Sequence, residues 1–194
     1  MSEDGNASLV VRTLVPADAE TAYALRLRAV LEHPPSFHTD EGMVRAGGVE
    51  GMRSRLASNL ASSGDAVLFG AFLDDALVGL TGLVREPRRK LRHKATVVSV
   101  YVRPDQRGRG VAGRLLDAAL AHAAALDGVT ALDLSVVAGN EPAIRLYASR
   151  GFVAWGTEPR ALRVDGRWFD EVKMRREVGD GVEARTRVTS DIRP

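Results

Sequence analysis

The sequence predicts an α/β (α+β) domain of about seven strands and about four helices. Three features predict it. β-Branched runs such as "ATVVSVYV" (95–102) suit pleated strands, and an alanine-rich apolar stripe after Val111 suits a helix. Asp74-Asp75 and Asp165-Gly166 each sit between two apolar or alternating runs, which reads as two hairpins and therefore as antiparallel neighbours. At 194 residues and 45% apolar composition the chain supports one core and is short for two.

Residues 1–7 are expected to be disordered, 8–177 to form the domain and 178–194 to be a flexible tail. "LVVRTL" (9–14) is the first strand. Pro16 then opens a helix, with Asp18 and Glu20 in its first turn and Tyr23, Leu27, Val30 and Leu31 on one face, ending before Pro34. Turn formers and charges fill 34–48, which is expected to be a loop, before Met52, Leu56 and Leu60 recur at helical spacing. "AVLFGAFL" (66–73) and "ALVGLTGLV" (76–84) are strands two and three. Strand four (95–102) is stopped by Arg103 and Pro104. Leu115, Leu116, Ala119, Leu120 and Ala123 mark the third helix, and "ALDLSVV" (131–137) is strand five. A short helix over 141–150 has Pro142 in its first turn and Gly151 at its close. "RALRVDGRWFDEVKM" (160–174) is the final hairpin.

Composition narrows the function. The 27 basic and 25 acidic residues nearly balance, at a formal net charge of +2. Zero cysteines exclude disulfides, thiolate metal sites and a cysteine nucleophile, and the four histidines lack metal-ligand spacing, so no metal is expected. No run reaches the roughly 18–20 apolar residues of a membrane span, and "MSEDGNAS" lacks the features of a signal peptide. A cytoplasmic protein without a membrane partner is the expectation. "REPRRKLRHK" (85–94) holds seven basic residues in ten, which leaves a nucleic-acid-binding module as an alternative. It lacks interleaved aromatics and reads better as a solvated connection, so nucleic acid is not expected as a partner.

"PDQRGRGVAGRLL" (104–116) sets three glycines among three arginines where strand four gives way to helix three. A helix start exposes unpaired N–H groups and the positive end of the helix dipole, so glycines that admit a ligand to the backbone suit a phosphate. Gly108, Gly110 and Gly113 satisfy G-x-G-x-x-G, and Asp133 follows the last by 20 residues, as in a dinucleotide site. Against that reading, Arg103 to Arg107 separate the strand from the first glycine, and the upstream chain does not alternate βα units.

A second reading uses more of the chain. Arg107-Gly108-Arg109-Gly110-Val111-Ala112 fits R/Q-x-x-G-x-G/A, and "NEPAIRLYASRGF" (140–152) supplies an asparagine after strand five, a tyrosine in the next helix and a closing Gly-Phe. In these two motifs, and in the order of elements over about 9–176, the sequence resembles the GNAT superfamily of acyl-CoA-dependent N-acetyltransferases. The resemblance implies a mixed, mostly antiparallel sheet with strands four and five splayed. It implies acetyl-CoA as acyl donor, its pyrophosphate on the backbone of Arg107, Gly108, Arg109, Gly110, Val111 and Ala112, and its pantetheine arm along Val100 and Val102, reached from the other side by Asn140. It also implies Tyr147 as general acid, an amine acceptor on a small molecule or peptide, and a homodimer.

With no cysteine, direct transfer in a ternary complex is expected over an acyl-enzyme. Strand four carries Thr96 to Ser99 where some relatives of the resembled family place a glutamate, so the base stays open among His38, Glu50, Asp170 and Glu171, and the resemblance equally allows a water chain or an amine of lowered pKa. The acceptor is expected between the loop Ser36 to Glu41, helix two and the last hairpin, walled by Phe37, Trp155 and Trp168, with Glu50 or Asp170 drawing in a cation. Phe37 as a loop staple and Trp168 as a cross-strand partner are the alternatives for those residues. An acyl-CoA sensor without turnover is the remaining functional alternative.

Overall fold

The computed structural model describes residues 8–179. The expected disorder of 1–7 and most of the expected tail lie outside the described residues. Val178, assigned to that tail, is buried, and its N–H donates to Thr130 O at 2.9 Å, so the packed chain runs at least one residue past the expected boundary.

Seven strands form one sheet in the order β1-β2-β3-β4-β5-β7-β6, namely β1 (Leu9–Thr13), β2 (Ala66–Leu73), β3 (Ala76–Arg85), β4 (Lys94–Val102), β5 (Ala131–Val137), β6 (Val153–Val164) and β7 (Arg167–Glu177). Every pairing is antiparallel except β4 with β5. Four helices flank it, α1 (Ala19–Glu32), α2 (Glu41–Ala61), α3 (Val111–Ala125) and α4 (Glu141–Ala148). Asp74 and Asp75 both hold positive φ (46° and 65°), as do Asp165 and Gly166 (47° and 77°), the requirement of a type I′ hairpin.

Alternation along the strands sorts side chains to two cores. Val67, Phe69, Val97, Leu132, Leu134, Val136 and Met174 join Leu115, Leu116 and Ala119 of α3 and Tyr147 of α4 on one face. Leu68, Phe72, Leu80 and Tyr101 join Leu25 and Ala29 of α1 and Met52 and Leu56 of α2 on the other. β2 and β3 are covered on both faces, which explains their near-continuous apolar runs.

Two expectations are corrected. The stretch 34–48 is not all loop: after a 3₁₀ turn at Pro34–Ser36, α2 begins at Glu41, capped by Asp40, whose carboxylate accepts from Met43 N–H at 2.8 Å. Gly47-Gly48 looks like a break but is absorbed as a kink, with Gly48 at φ 57° inside the helix. The last hairpin is also longer than 160–174, because β6 starts at Val153 and passes Pro159 through a register slip between Glu158 and Leu162. β6 is the sheet edge, where a proline at a bulge breaks no ladder to a further strand.

Three of the seven basic residues in 85–94 are spent on the chain itself. Arg85 reaches Asp65, Arg92 O and Asp127 O, Arg92 pairs with Asp65 at 2.7 Å, and Arg88 pairs with Glu86 at 2.9 Å. These contacts fix the crossing from β3 to β4.

Leu115 is fully buried between α3 and the sheet. Leu115→Ala should lower the unfolding free energy by about 2–5 kcal/mol in urea titrations; a loss below about 1 kcal/mol would remove α3 from the core as described.

Candidate active site

The parallel pairing of β4 with β5 covers only Lys94–Ala131, Ala95–Leu132 and Thr96–Asp133. Beyond Thr96 the two strands part. On its other side β4 stays paired to β3, but the register slips between Leu80–Tyr101 and Gly82–Val98, which leaves an extra residue in β4. Ser99 sits in that bulge at φ 60°, unusual for a non-glycine residue. Arg103 N–H bonds Val78 O of β3 at 2.9 Å, so by alternation Tyr101 also turns its backbone to β3 while Val100 and Val102 turn theirs into the fork.

At the open end, the signature loop follows a 3₁₀ turn at Pro104–Gln106. Gly108 and Gly110 both hold φ 76°, which costs glycine nothing and most residues about 1–2 kcal/mol. Gly110 caps α3 without a side chain, no acidic residue occupies the first turn, and Arg109 and Arg114 are exposed beside it. Among the described residues, no group accepts from the N–H groups of Gly108 to Gly113, which include those of Val111 and Ala112. A row of free N–H groups at a helix start suits an anion.

Arg107 departs from its expected role. Its N–H already donates to Pro104 O at 3.3 Å, and its guanidinium turns inward, Nε to Val102 O at 3.1 Å and Nη2 to His33 Nε2 at 2.8 Å. A guanidinium only donates, so His33 accepts as a neutral imidazole. Burial first, and then the Arg107 charge, hold its pKa below the ordinary histidine value. Arg107 is thus a clamp between the end of β4 and the end of α1. Tyr101 reinforces it by donating to Glu32 at 2.5 Å, and burial together with that bond pushes the phenol up to about 12.

Asn140 caps α4, its Oδ1 accepting from Ala143 N–H at 3.3 Å, which leaves its amide N–H₂ as donor at the end of β5. Tyr147 is buried at 7% exposure and packs edge-to-face on Phe152. Burial pushes its phenol up to about 12. Among the described residues its hydroxyl has no hydrogen-bond partner, yet it is not one of the fully enclosed unpaired atoms, which are Arg26 Nη1 and Thr81 Oγ1. The hydroxyl therefore keeps a free, accessible side.

The residues expected around the acceptor scatter. Phe37 is a buried staple, with the Arg26 guanidinium 4.6 Å from its ring centre and Arg26 Nη2 on Thr39 Oγ1 at 3.2 Å. Glu50 is exposed and pairs with Arg53, which reaches Pro16 O, at the end of α1 away from Glu32. Trp155 and Trp168 are more than half exposed, Trp168 under Arg163. Asp170 accepts from Arg160 N–H at 2.7 Å, holding the β6 bulge.

Two residues 133 apart in sequence do meet: His38 Nε2 stands 2.8 Å from Glu171 Oε1. Glu171 is 4% exposed, and its other oxygen accepts from Lys173 Nζ at 2.7 Å. Lys173 also reaches Glu158 at 2.6 Å and Ser135 Oγ at 3.0 Å. The sequence holds no signal for this pairing, because only the fold brings the loop after α1 over β7. Nor does it flag Ser99, whose bulge opens the fork.

A family model described as "Acetyltransferase (GNAT) family" matches residues 31–152, from the end of α1 through Phe152. The chain belongs to the GNAT family. It is 32% identical over 141 residues to mycothiol acetyltransferase of Brachybacterium faecium, a match covering 73% of this chain and 39% of that protein, so the chain spans well under half of that relative. A GNAT-family acetyltransferase from Streptococcus pneumoniae has the same fold at a TM-score of 0.81 and 26% identity, over 89% of this chain and 100% of that one. So does a GNAT phosphinothricin acetyltransferase from Sinorhizobium meliloti, solved in complex with acetyl-CoA, at a TM-score of 0.76 and 21% identity, over 90% and 91% of the two chains. The GNAT sheet, with β4 and β5 splayed, is the sheet found here.

Burial pushes the Glu171 carboxyl up, but the bonds and charges of Lys173 and His38 outweigh it and hold its pKa below the usual carboxylate value. A depressed folded value contributes stability above the unfolded pKa of about 4.3, and that contribution is lost as pH falls through the folded value. Urea titrations at pH 7 and pH 3 should show wild type losing more stability than Glu171→Gln over that interval. Equal losses in the two proteins would mean that the carboxylate is not held in its charged form by these partners.

Proposed function

We propose that the chain is an N-acetyltransferase that moves the acetyl group of acetyl-CoA to a primary amine by direct transfer in a ternary complex. The single observation that carries this reading is the row of unpartnered N–H groups from Gly108 to Gly113, which opens beside a fork whose β4 edge is also unpaired. Such a row suits a pyrophosphate, and a β4 edge turned into the fork suits the amides of a pantetheine arm by strand addition. The residues present therefore fit acetyl-CoA, held by the backbone of Gly108 to Ala112, by Val100 and Val102 and by the Asn140 amide. The Val102 carbonyl is shared with Arg107, so the Val102 N–H and the Val100 groups are its freer contacts.

When bound, acetyl-CoA supplies a thioester whose carbonyl carbon accepts an amine. A backbone N–H of β4 in the fork can donate to the carbonyl oxygen as negative charge develops there. Tyr147 serves as the acid. Its phenol, at about 12, stays protonated across the working range and donates to the sulfur as negative charge develops there. Its hydroxyl, without a hydrogen-bond partner among the described residues, is available to donate, which supports this role.

Acetyl-CoA at about 100 times its Kd should raise the unfolding free energy by roughly 2.7 kcal/mol, read as a thermal shift, while NAD should not. Gly110→Asp should cost about 1 kcal/mol of stability from the φ at that position and abolish the acetyl-CoA shift, because its carboxylate faces the pyrophosphate. Tyr147→Phe should keep the shift and lower kcat by about 10²–10⁴. An undiminished shift in Gly110→Asp, or unchanged kcat in Tyr147→Phe, would contradict the respective assignment.

A further inference from the structure

The loop after α1 crosses the mouth of the fork. His33, at its start, contacts Arg107 and lies 6.3 Å from the Tyr101 ring on the β4 side. His38, five residues on, contacts Glu171 on β7, and the intervening 3₁₀ turn packs against β5 and β6. Glu171 pairs with Val137, four residues past Asp133, the last β5 residue paired to β4. Val100 is likewise four residues past Thr96. At about 3.3 Å per residue, Glu171 stands about 13 Å above the vertex of the fork and Ser99, three residues past Thr96, about 10 Å above it.

The face is also defined. Leu134, Val136 and Met174 point into the α3 core, so Ser135, Glu171 and Lys173 alternate onto the opposite face, where α1 and α2 cover only the β2–β4 half. The polar group thus borders the fork on the side away from the glycine loop at α3.

We propose that His38 is the catalytic base, taking the acceptor's proton on Nδ1, with Glu171 as the positioning residue that fixes its tautomer. This rests on the acetyl-transfer reading given above. Glu171 as a carboxylate only accepts, so the imidazole proton lies on Nε2 and the lone pair on Nδ1. The imidazole is 65% exposed while its carboxylate partner is 5% exposed, an arrangement of a reachable base held by a buried orienter. The groups around it are Glu171 and Lys173 of β7 and Glu158 of β6; Asp40 is turned away as the cap of α2, and Asp170 holds the Arg160 N–H.

In the transfer, one N–H bond of the acceptor breaks as the Nδ1–H bond forms, and the nitrogen pair freed attacks the thioester carbonyl carbon. The C–S bond then breaks, and its electron pair leaves on sulfur with the proton of Tyr147. Both side chains regain their starting states by exchanging one proton, directly or through water.

The test measures thiol release from acetyl-CoA by the full chain, with L-amino acids and spermidine as acceptor probes, from pH 5.5 to 9.5. For any acceptor turned over, His38→Ala should lose about 10²-fold or more in kcat/KM at pH 7, lose the acidic limb of the wild-type profile, and regain at least tenfold when imidazole is added. Glu171→Gln should lose activity without rescue by imidazole, and both variants should keep the acetyl-CoA thermal shift. A wild-type pH profile in His38→Ala, or an unrescued loss, would overturn the proposal while leaving acetyl transfer standing. An absent thermal shift in the wild type would instead overturn the transfer reading and the dyad with it.

Discussion

The arrangement depends on one constraint, the parting of β4 from β5 after three residue pairs. Parallel strands in the middle of a sheet normally satisfy one another's N–H and C=O groups, and an unpaired backbone group away from water is costly. Here β4 keeps its partner on one side and gives up the other, and the bulge at Ser99 makes the change of direction possible. The exposed edge is tolerable only as a place that water or a ligand fills. The residues proposed for function lie along it: Val100 and Val102 on one bank, Asn140 at the end of the other, the glycine loop at one mouth and the His38 loop at the opposite one.

A gap in the middle of a sheet must be held at a fixed width if it is to receive a ligand of fixed shape. Three contacts do this from the β4 bank, Arg107 to Val102 O, Arg107 to His33 and Tyr101 to Glu32, and they join the strand end to the end of α1. From the other bank, Glu171 draws the same loop toward β7 through His38. The chain between α1 and α2 is therefore a strap across the fork, stapled from beneath by Phe37 under Arg26. Among the described residues that guanidinium is buried without a carboxylate partner, and burial with the nearby Arg55 charge lowers its pKa to about 10. The strap thus carries a polar cost, in keeping with functional sites that hold less than optimal packing.

Most of the fold was legible in the sequence because periodicity and turn chemistry act locally. The alanine stripe of α3, the β-branched run of β4 and the two I′ turns each follow from residues within a dozen positions. The misreadings have physical causes. Gly47-Gly48 has the composition of a loop, but the Asp40 cap and the packing of Val44 and Val49 on the α1 core outweigh two glycines. Pro159 reads as a strand end, and an edge strand can absorb it. In the candidate site, loop geometry was legible where a motif fixes backbone, as in the positive φ of Gly108 and Gly110. It was not legible where the geometry comes from topology, as in the inward turn of Arg107, the bulge at Ser99 or the meeting of His38 and Glu171.

The central claim is that the fork is a built receptor for a strand-like ligand, and hydrogen exchange of the peptide spanning 97–103 tests it most directly. In the free protein the Val100 and Val102 amides should exchange quickly while Tyr101, paired to β3, is protected. Saturating acetyl-CoA should slow Val100 and Val102 and leave the β2–β3 hairpin unchanged. Protection of Val100 and Val102 in the free protein, or no change on adding acetyl-CoA, would contradict the account.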